Sequence, residues 1–522
     1  MSSLLTTTSW AAFVWLGVGF LILSYNLSAL YTWNRLRAIP AASWTAHFSY
    51  LWLARNTYSG RQYWIHRDLH KRHGPLVRVG PNQLVTNEPD VVKMISGTNS
   101  SWVRDSSYIT GRLNPYYDNL FSLLDPKEHN LAKSRTIAAY SGRETPDLEI
   151  GVDSQVKTLI DTIRTRCATP SADSPVPPLL DLGTTSCYFT MDVITRLAFG
   201  SAFGYLRDNK DHHNFLGSIR ELWPRMSACA DVPWIRNFLF SRPFLKLMGP
   251  KPTDKSGFGA LMGVASHYVG ERFASTAKPR QDMLGSMMKH GLNQTECETE
   301  GLFMIFAGTE STASAIRSAL VHTMTSPVAY QTLKEEIHTA VREGKVSSPI
   351  TLQEAKKLPY LQASAAVVYE GIRMRPPLIG LLPKVVPPGG ENILGYQIPA
   401  GTAIGTNASS ILASTDLFGP DANIFRPERF TELDDQHRKQ MERNVELAFG
   451  HGQWMCVGKT IALLEINKSV FELFRAFDLQ LLEPYAPSNI LSYGVFLESN
   501  LKVKVSRSTT AVAASSPDSV HI

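Results

Sequence analysis

Cysteine is scarce in this chain of 522 residues, and no two cysteines stand at a metal-binding spacing. There is no Cys-x-x-Cys pair, and the five cysteines are widely and irregularly separated: Cys167, Cys187, Cys229, Cys297 and Cys456. An odd number of scattered cysteines excludes a disulfide scaffold. Zinc and iron–sulfur sites need several ligands at defined spacing, so they are excluded as well. We expect the first four cysteines to be buried free thiols.

Charge is sparse and mixed in sign. Charged residues make up 19% of the chain, and 52 Lys and Arg against 46 Asp and Glu leave a net charge of +6. No run of Lys and Arg has the density of a nucleic-acid footprint, which excludes nucleic acid as a partner. A mildly basic surface suits an acidic protein partner or anionic lipid.

The first 34 residues contain no charged side chain. The apolar run from 10 to 31 is long enough to cross a bilayer, which takes about 20 residues. Arg35 and Arg37 follow at once and place the downstream chain on the cytosolic side. The alternative is a cleaved signal peptide, but the segment lacks a basic start and is long for such a peptide. We predict a retained membrane anchor over 1–34.

The rest of the chain shows no internal repeat. Helical periodicity dominates from about 125 to 375, and short β-like runs occur over 60–100 and 385–410. The pattern predicts one mainly α domain with a small β portion over 35–505. A tail over 506–522, rich in small and polar residues, is expected to be disordered.

Cys456 lies in the loop "FGHGQWMCVGK", between glycines and just before a predicted helix. A helix N-terminus stabilises a thiolate through its dipole and its free N–H groups. Glycines let the backbone approach a flat cofactor closely. A single Cys thiolate can hold haem iron. The loop therefore favours haem ligation by Cys456, and the alternative is a buried structural cysteine.

The positions of Phe449, Gly452, Cys456 and Gly458 resemble the FxxGxRxCxG signature of the cytochrome P450 family. The resemblance implies the P450 fold, with haem b bound by these four residues and its iron ligated by the Cys456 thiolate. Trp454 stands where the signature has Arg. Trp donates one hydrogen bond but carries no charge, so we expect the haem to be held with less positive charge.

The stretch "AGTEST" (307–312) resembles the oxygen-activating motif of that family. The small residues Ala307 and Gly308 would open space beside the cofactor. The resemblance assigns proton delivery to Glu310 and Ser311, with Thr312 as an assisting hydroxyl. The alternative is a buried helix in which Ser311 bonds back to the preceding turn.

Two further stretches complete the resemblance. Glu370 and Arg373 match the ExxR motif, and acid and base three residues apart share a helical face. The stretch "FRPERF" (425–430) matches the PERF element, which implies that Arg429 joins them in a structural network. The order and spacing of the four stretches fit the family over nearly the whole chain.

The resemblance also implies cationic residues at the haem propionates. His129 and Lys133 fall at the two positions of the family's (W/H)xxxR stretch, and Lys384 stands in the strand region after ExxR, where Arg is usual. Lys is a point charge without the fork of Arg. We therefore predict His129, Lys133 and Lys384 as cofactor-binding residues.

Substrate-facing positions are implied by resemblance, with core packing as the alternative for each: Phe303, Phe306, Ala307, Leu381 and Phe496. Their apolar character predicts a pocket for a lipophilic small molecule. The loop over 100–118 is expected to line the same pocket. The apolar stretch 234–249 is expected to dip into the membrane, the alternative being a core helix.

The resemblance implies a membrane-anchored haem-thiolate monooxygenase of the endoplasmic reticulum, with its catalytic domain in the cytosol. NADPH–cytochrome P450 reductase would supply electrons, with cytochrome b5 as a second candidate donor. The loop style is similar to that of fungal secondary-metabolism enzymes resembling pisatin demethylase. The alternatives are a haem-thiolate isomerase or dehydratase that does not use O2, and a non-enzymatic haem sensor. The acid–alcohol pair Glu310–Ser311 argues against both.

Overall fold

The computed structural model describes residues 2–169, 177–355, 357–358, 360 and 366–508. Helices make up most of this part of the chain. In chain order they are α1 (Ser2–Leu36), α2 (Leu51–Tyr58), α3 (Gln62–His73), α4 (Pro89–Ser96), α5 (Pro126–Tyr140), α6 (Leu148–Cys167), α7 (Leu182–Phe199), α8 (Tyr205–Asp208), α9 (Phe215–Ala230), α10 (Pro233–Leu239), α11 (Arg242–Met248), α12 (Gly257–Phe273), α13 (Met283–Lys289), α14 (Gln294–Met324), α15 (Pro327–Arg342), α16 (Leu352–Ala355), α17 (Ala366–Met374), α18 (Ala408–Ile411), α19 (Thr415–Phe418), α20 (Glu428–Thr431), α21 (Asp435–Val445) and α22 (Lys459–Ala476).

The strands are short. They are β1 (Leu76–Gly80), β2 (Gln83–Thr86), β3 (Val103–Arg104), β4 (Leu180–Asp181), β5 (Lys384–Val385), β6 (Glu391–Ile393), β7 (Tyr396–Ile398), β8 (Ala403–Thr406), β9 (Phe477–Leu481), β10 (Asn489–Ser492), β11 (Phe496–Ser499) and β12 (Lys502–Arg507). The largest sheet has the order β1-β2-β8-β5-β3, in which the β2–β8 pair is parallel and the other pairs are antiparallel. The mainly α fold with a small β portion is confirmed.

Helix α1 stands apart from the core. Its stretch Ala12–Leu36 has the length and apolar composition to cross a membrane, and only 6% of that stretch is buried. Large side chains such as Phe13, Trp15 and Phe20 are mostly exposed. A helix apolar on all sides and left uncovered by protein suits a lipid environment.

Helix α14 crosses the centre of the domain and carries the "AGTEST" stretch. A capping box fixes its start, because Asn293 Oδ1 accepts the N–H of Glu296 and the Glu296 carboxylate accepts the N–H of Asn293. The helix packs against α7, α12, α17 and α22. An exposed residue in the middle of α14, such as Ala307, therefore faces a space inside the domain.

The C-terminal boundary differs from the prediction. Ser506 and Arg507 belong to strand β12 and pair with Asp478 and Phe477 of β9. The alternating apolar and polar residues of "KVKVSR" suit a strand that buries one face, so the chain stays ordered past 505. Residues 509–522 of the predicted tail lie outside the described residues.

Candidate active site

The Cys456 loop joins two 3-10 turns to helix α22. The N–H of Cys456 donates to Phe449 O at 2.8 Å and closes the loop. Gly452 has a φ of +56°, and a Cβ there would lie 2.1 Å from Ser96 O. A close backbone contact within the protein is therefore enough to require glycine at position 452, without any contact with a cofactor.

The Cys456 sulfur lies just before α22 and receives hydrogen bonds from the backbone N–H groups of Gly458 and Lys459. Burial raises the pKa of the thiol, while those N–H groups and the charge of Lys133 act in the opposite direction. Cys456 is an exposed residue, although protein surrounds its sulfur densely. It therefore faces a space inside the domain, as a thiolate ligand of a large cofactor must.

The donor set around this sulfur suits haem and not a bare metal ion. No group of three or more His, Cys, Asp or Glu side chains that could hold a metal occurs in the described part of the chain. A lone thiolate cannot complete a zinc or iron–sulfur site. It can supply the one axial ligand that haem iron needs from the protein.

A buried cationic cluster lies beside the Cys456 loop. Arg104 of β3 and Lys384 of β5 stand directly opposite each other on paired antiparallel strands, and both are buried. Lys133 of α5 donates to Gln453 O at 2.8 Å, next to Trp454. Neither Arg104, Lys133 nor Lys384 forms an ion pair with any carboxylate of the described residues. Like charges placed opposite each other are destabilising unless an anion balances them.

The orphaned donors of this cluster fit the haem propionates. Arg104 Nε and Trp454 Nε1 are buried, and neither has a hydrogen-bond partner in the described structure. Burial lowers the pKa of Arg104 to about 10 and lowers that of Lys384 far below its ordinary value. An anion with several oxygens would pair these donors and restore both pKa values.

The Trp454 ring packs against the guanidinium of Arg104, the candidate substitute for the Arg that position 454 lacks. The Arg104 Cζ lies 4.5 Å from the Trp454 ring centroid and 4.5 Å from that of Tyr108. His129 also packs against Trp454, with ring centroids 4.5 Å apart. Burial lowers the pKa of His129 to about 3, so His129 is neutral at physiological pH. Arg104 of β3 thus brings next to position 454 a guanidinium that could offset the expected shortage of positive charge.

The oxygen-activating stretch presents Ala307 and Ser311 to the internal space. Ala307 is exposed and Ser311 is half-buried, whereas Thr312 is buried. The Ser311 hydroxyl donates to Ala307 O at 2.6 Å. Gly308 faces α7, where a Cβ would lie 3.3 Å from Ile194 Cγ1. Gly308 therefore allows close helix packing, and Ala307 alone opens the space predicted for both.

The Glu310 carboxylate is held by a buried ion-pair chain. Its Oε1 accepts Arg317 Nη2 at 2.6 Å, and its Oε2 accepts the Cys187 thiol at 2.9 Å. Arg317 Nε also donates to Glu498 Oε2 at 2.8 Å, and Arg375 pairs with the same Glu498. Although burial acts to raise it, these two Arg residues hold the pKa of Glu498 at about 2. Glu310 must leave Arg317 before its carboxylate can reach the space that Ser311 faces.

The comparison with known proteins decides the family. The cytochrome P450 family model matches residues 40–506. The chain is a cytochrome P450. It is 65% identical to "Cytochrome P450 monooxygenase aba1" of Botryotinia fuckeliana over 91% of this chain and 92% of that protein. It is 56% identical to "Cytochrome P450 monooxygenase abl1" of Leptosphaeria maculans over 94% and 86%, and 29% identical to "Pisatin demethylase" of Fusarium vanettenii over 92% and 93%. This P450 is a monooxygenase, and its family implies a haem-thiolate cofactor.

The P450 carries a fully buried Glu–Arg–Arg network. Arg373 binds Glu370 in a bidentate pair with both distances at 2.7 Å, and Arg429 Nε donates to Glu370 Oε1 at 2.9 Å. All three residues are at most 2% exposed. The residue before Glu370, Tyr369, donates to Glu446, and Glu446 pairs with Lys459 at the start of α22. This second chain of contacts ties α17 to both ends of the Cys456 loop.

The substrate positions divide into pocket and core. Phe303 and Phe306 are half-buried and belong to an aromatic wall in which Phe121 stacks on Phe303 and Trp223 packs against Phe306. The pocket assignments of Leu381 and Phe496 were wrong. Leu381 packs in a core cluster behind the large sheet, and Phe496 has no exposed surface, because Tyr63, Ile379 and Ile490 enclose it.

Arg104 is the candidate cofactor-binding residue that sequence reasoning missed. It falls in the 100–118 loop, which had been predicted to line the substrate pocket. Its Nη1 donates to the carbonyls of Leu120, Phe121 and Leu123, so the same side chain also fixes the turn before α5. The absence of Arg at position 454 was the one signal in the sequence for such a residue, because a buried propionate would then need a cation from another element.

Proposed function

We propose that this P450 inserts one atom of O2 into a lipophilic small molecule, with electrons delivered from NADPH by cytochrome P450 reductase. Cytochrome b5 is a second candidate donor. The observation that carries the proposal is the lone exposed Cys456, which lies beside a cationic cluster and just before α22, a helix that packs on α14. The relatives named as fungal monooxygenases support a role in fungal secondary metabolism.

Haem b would be held by residues of four separate elements, namely β3, α5, β5 and the Cys456 loop. Cys456 would ligate the iron, and Arg104, Lys133 and Lys384 would bind the propionates together with the N–H of Trp454. When bound, the haem supplies the iron centre that activates O2. The protein excludes water from that centre with the aromatic wall of Phe303 and Phe306.

The acid and the alcohol of α14 would deliver protons. Ser311 lies at the internal space and holds its hydroxyl proton toward Ala307 O. Glu310, one residue earlier, would pass protons to Ser311 after release from Arg317. An isomerase or a sensor would have no use for this pair.

The membrane would hold the enzyme through α1 and through the surface of α10 and α11. Trp234, Phe238, Leu247 and Met248 are between 62% and 73% exposed on these two short helices. Exposed apolar patches of this kind mark membrane contacts. We place the anchor in the endoplasmic reticulum and the catalytic domain in the cytosol, where the reductase is reached.

Reconstitution with the reductase tests this function. Membranes that contain the P450 and reductase are supplied with NADPH, ¹⁸O2 and an extract of the native host's lipophilic metabolites. We expect a product that carries one ¹⁸O atom and forms only when both proteins and NADPH are present. A product that forms without O2, or without the reductase, would contradict the monooxygenase assignment or its electron donor, respectively.

Arg104→Met is expected to weaken haem retention. Hydrogen bonds to charged groups contribute about 1.5–3 kcal/mol each, so haem loss should accelerate by roughly 10- to 100-fold. Transfer of haem to apomyoglobin measures that rate. Arg112→Met is the matched control, because Arg112 lies in the same loop but is already paired with Asp118 at 2.7 Å. Equal haem loss from the two variants would remove Arg104 from the haem site.

Glu310→Gln and Ser311→Ala are expected to retain haem but to uncouple NADPH consumption from product. Acid–base catalysis speeds a reaction by at least about 100-fold. The amount of product formed per NADPH consumed should therefore fall, by up to about 100-fold. Thr309→Val is the control, because Thr309 bonds to Ile305 O and packs on α7, away from the internal space. Unchanged coupling in both test variants would refute the relay.

A further inference from the structure

Glu300 is a buried acid of α14 that the proposed mechanism does not use. Its side chain is 6% exposed, and its Oε1 accepts the N–H of Leu120 at 2.6 Å. Its Oε2 has no hydrogen bond, and its carboxylate no ion pair, with any of the described residues. Burial raises the pKa of Glu300 to about 7. The residue is largely buried, but Oε2 has no partner in the described part of the chain and keeps some accessible surface, so it is free to meet a ligand.

The helical phase of Glu300 directs it toward the internal space. Residues 300, 303, 307 and 311 recur at intervals of three and four and so form one stripe along α14. A neighbouring side of the helix, about 100° round from the stripe, is filled by α7, since Gly301 lies against Phe199 and Gly308 against Ile194. Ala307 on the stripe is exposed inside the domain. At 1.5 Å per residue, Glu300 lies about 10 Å along the helix from Ala307.

The surroundings of Glu300 hold its position. Arg104 fixes the turn that contains Leu120 through three carbonyl groups. Phe121 from the same turn stacks on Phe303, with ring centroids 5.5 Å apart. Asn114 donates to Thr299, the neighbour of Glu300, at 3.2 Å. A polar group held in this way at the end of an aromatic wall is preorganised for one ligand contact.

We propose that Glu300 is a specificity-determining residue, whose free Oε2 binds a hydroxyl or carboxylic acid group of a lipophilic substrate about 10 Å along α14 from Ala307. The proposal rests on the proposed function and names the substrate class of that same site. The substrate is then apolar along the stripe of Phe303 and Ala307 and polar at the far end. At neutral pH the carboxyl can accept a hydrogen bond when ionised or donate one when protonated.

Two neutral probes of equal length test this assignment by calorimetry, which needs no turnover. They are 6-phenylhexan-1-ol and hexylbenzene, which differ in one hydroxyl group. We expect the haem-loaded wild-type enzyme to bind the alcohol about tenfold more tightly than the hydrocarbon, the effect of one hydrogen bond. We expect Glu300→Leu to lose that preference, and Glu300→Gln to retain part of it, since the amide keeps an acceptor for the Leu120 N–H and a second polar atom.

The controls separate this role from a structural one. Asn114→Ala removes a neighbouring tie between the same loop and α14, and it should leave the preference for the alcohol unchanged. The reduced CO spectrum of each variant shows whether Cys456 still ligates the haem iron. A lost preference for the alcohol is thereby distinguished from a failure of the monooxygenase assignment. A wild-type enzyme that does not prefer the alcohol, or a preference that survives in Glu300→Leu, would overturn the proposal.

Discussion

Arg373→Met is expected to remove about 3–5 kcal/mol of stability, because it leaves the buried Glu370 carboxylate with one cation in place of two. Arg373 also donates to the carbonyls of Leu412, Ala422 and Ile424, which lose their partner at the same time. Domains are stable by only about 5–15 kcal/mol, so this change removes a large share of the stability, and the yield of folded protein should fall. The yield of soluble, haem-containing protein and its unfolding in urea measure the loss.

Arg426→Met provides the control for that experiment. Arg426 lies in the same part of the chain and pairs with Asp421 and Glu432, but its side chain is 36% exposed. Exposed ion pairs contribute about 0–1 kcal/mol, so this variant should fold almost as well as the wild type. If the two variants unfold at the same urea concentration, the buried network does not stabilise the fold more than an exposed ion pair does.

Cys456→Ser is expected to reduce monooxygenase activity to background while leaving the fold intact. Serine can still accept the N–H groups of Gly458 and Lys459, and the backbone bond from position 456 to Phe449 O is unaffected. What is lost is the thiolate, the one ligand that pushes electron density onto haem iron for O–O cleavage. Product formation under the reconstituted conditions measures the effect.

Cys229→Ser is the control for the thiolate experiment. Cys229 is a half-buried free thiol at the end of α9, and it belongs to no part of the site described here. Its replacement should leave activity unchanged. Equal activity in Cys456→Ser and Cys229→Ser would mean that another residue holds the cofactor.

The parts of the site that the sequence predicted depend on short spacings. Glu370 and Arg373 meet because residues three apart share a helical face, and Cys456 precedes α22 by a fixed count of residues. Arg104 could not be found in this way, since it meets Lys384 across a sheet that joins segments 280 positions apart. The role of Trp454 follows from the same distant contact. Residue type alone does not distinguish an Arg that only lines a loop from one that balances the negative charge of a cofactor.

The errors in the pocket have a related cause. Leu381 and Phe496 are apolar, as pocket residues are, and residue type does not distinguish a side chain that faces a space from one enclosed by neighbours. For Phe496, the enclosing residues come from α3, from the segment after α17 and from β10. Helical phase was more informative, because the stripe of α14 places Phe303, Ala307 and Ser311 together without any knowledge of the neighbours.

The difference spectrum of the reduced, CO-bound protein tests most directly whether Cys456 holds the haem iron. The full chain is solubilised in detergent, reduced and exposed to CO, and Cys456→Ser is treated in the same way. Thiolate ligation predicts a red-shifted Soret band in the wild type and its loss in the variant, with haem still bound. A wild-type band without the red shift, or a red-shifted band that persists in Cys456→Ser, would contradict the assignment.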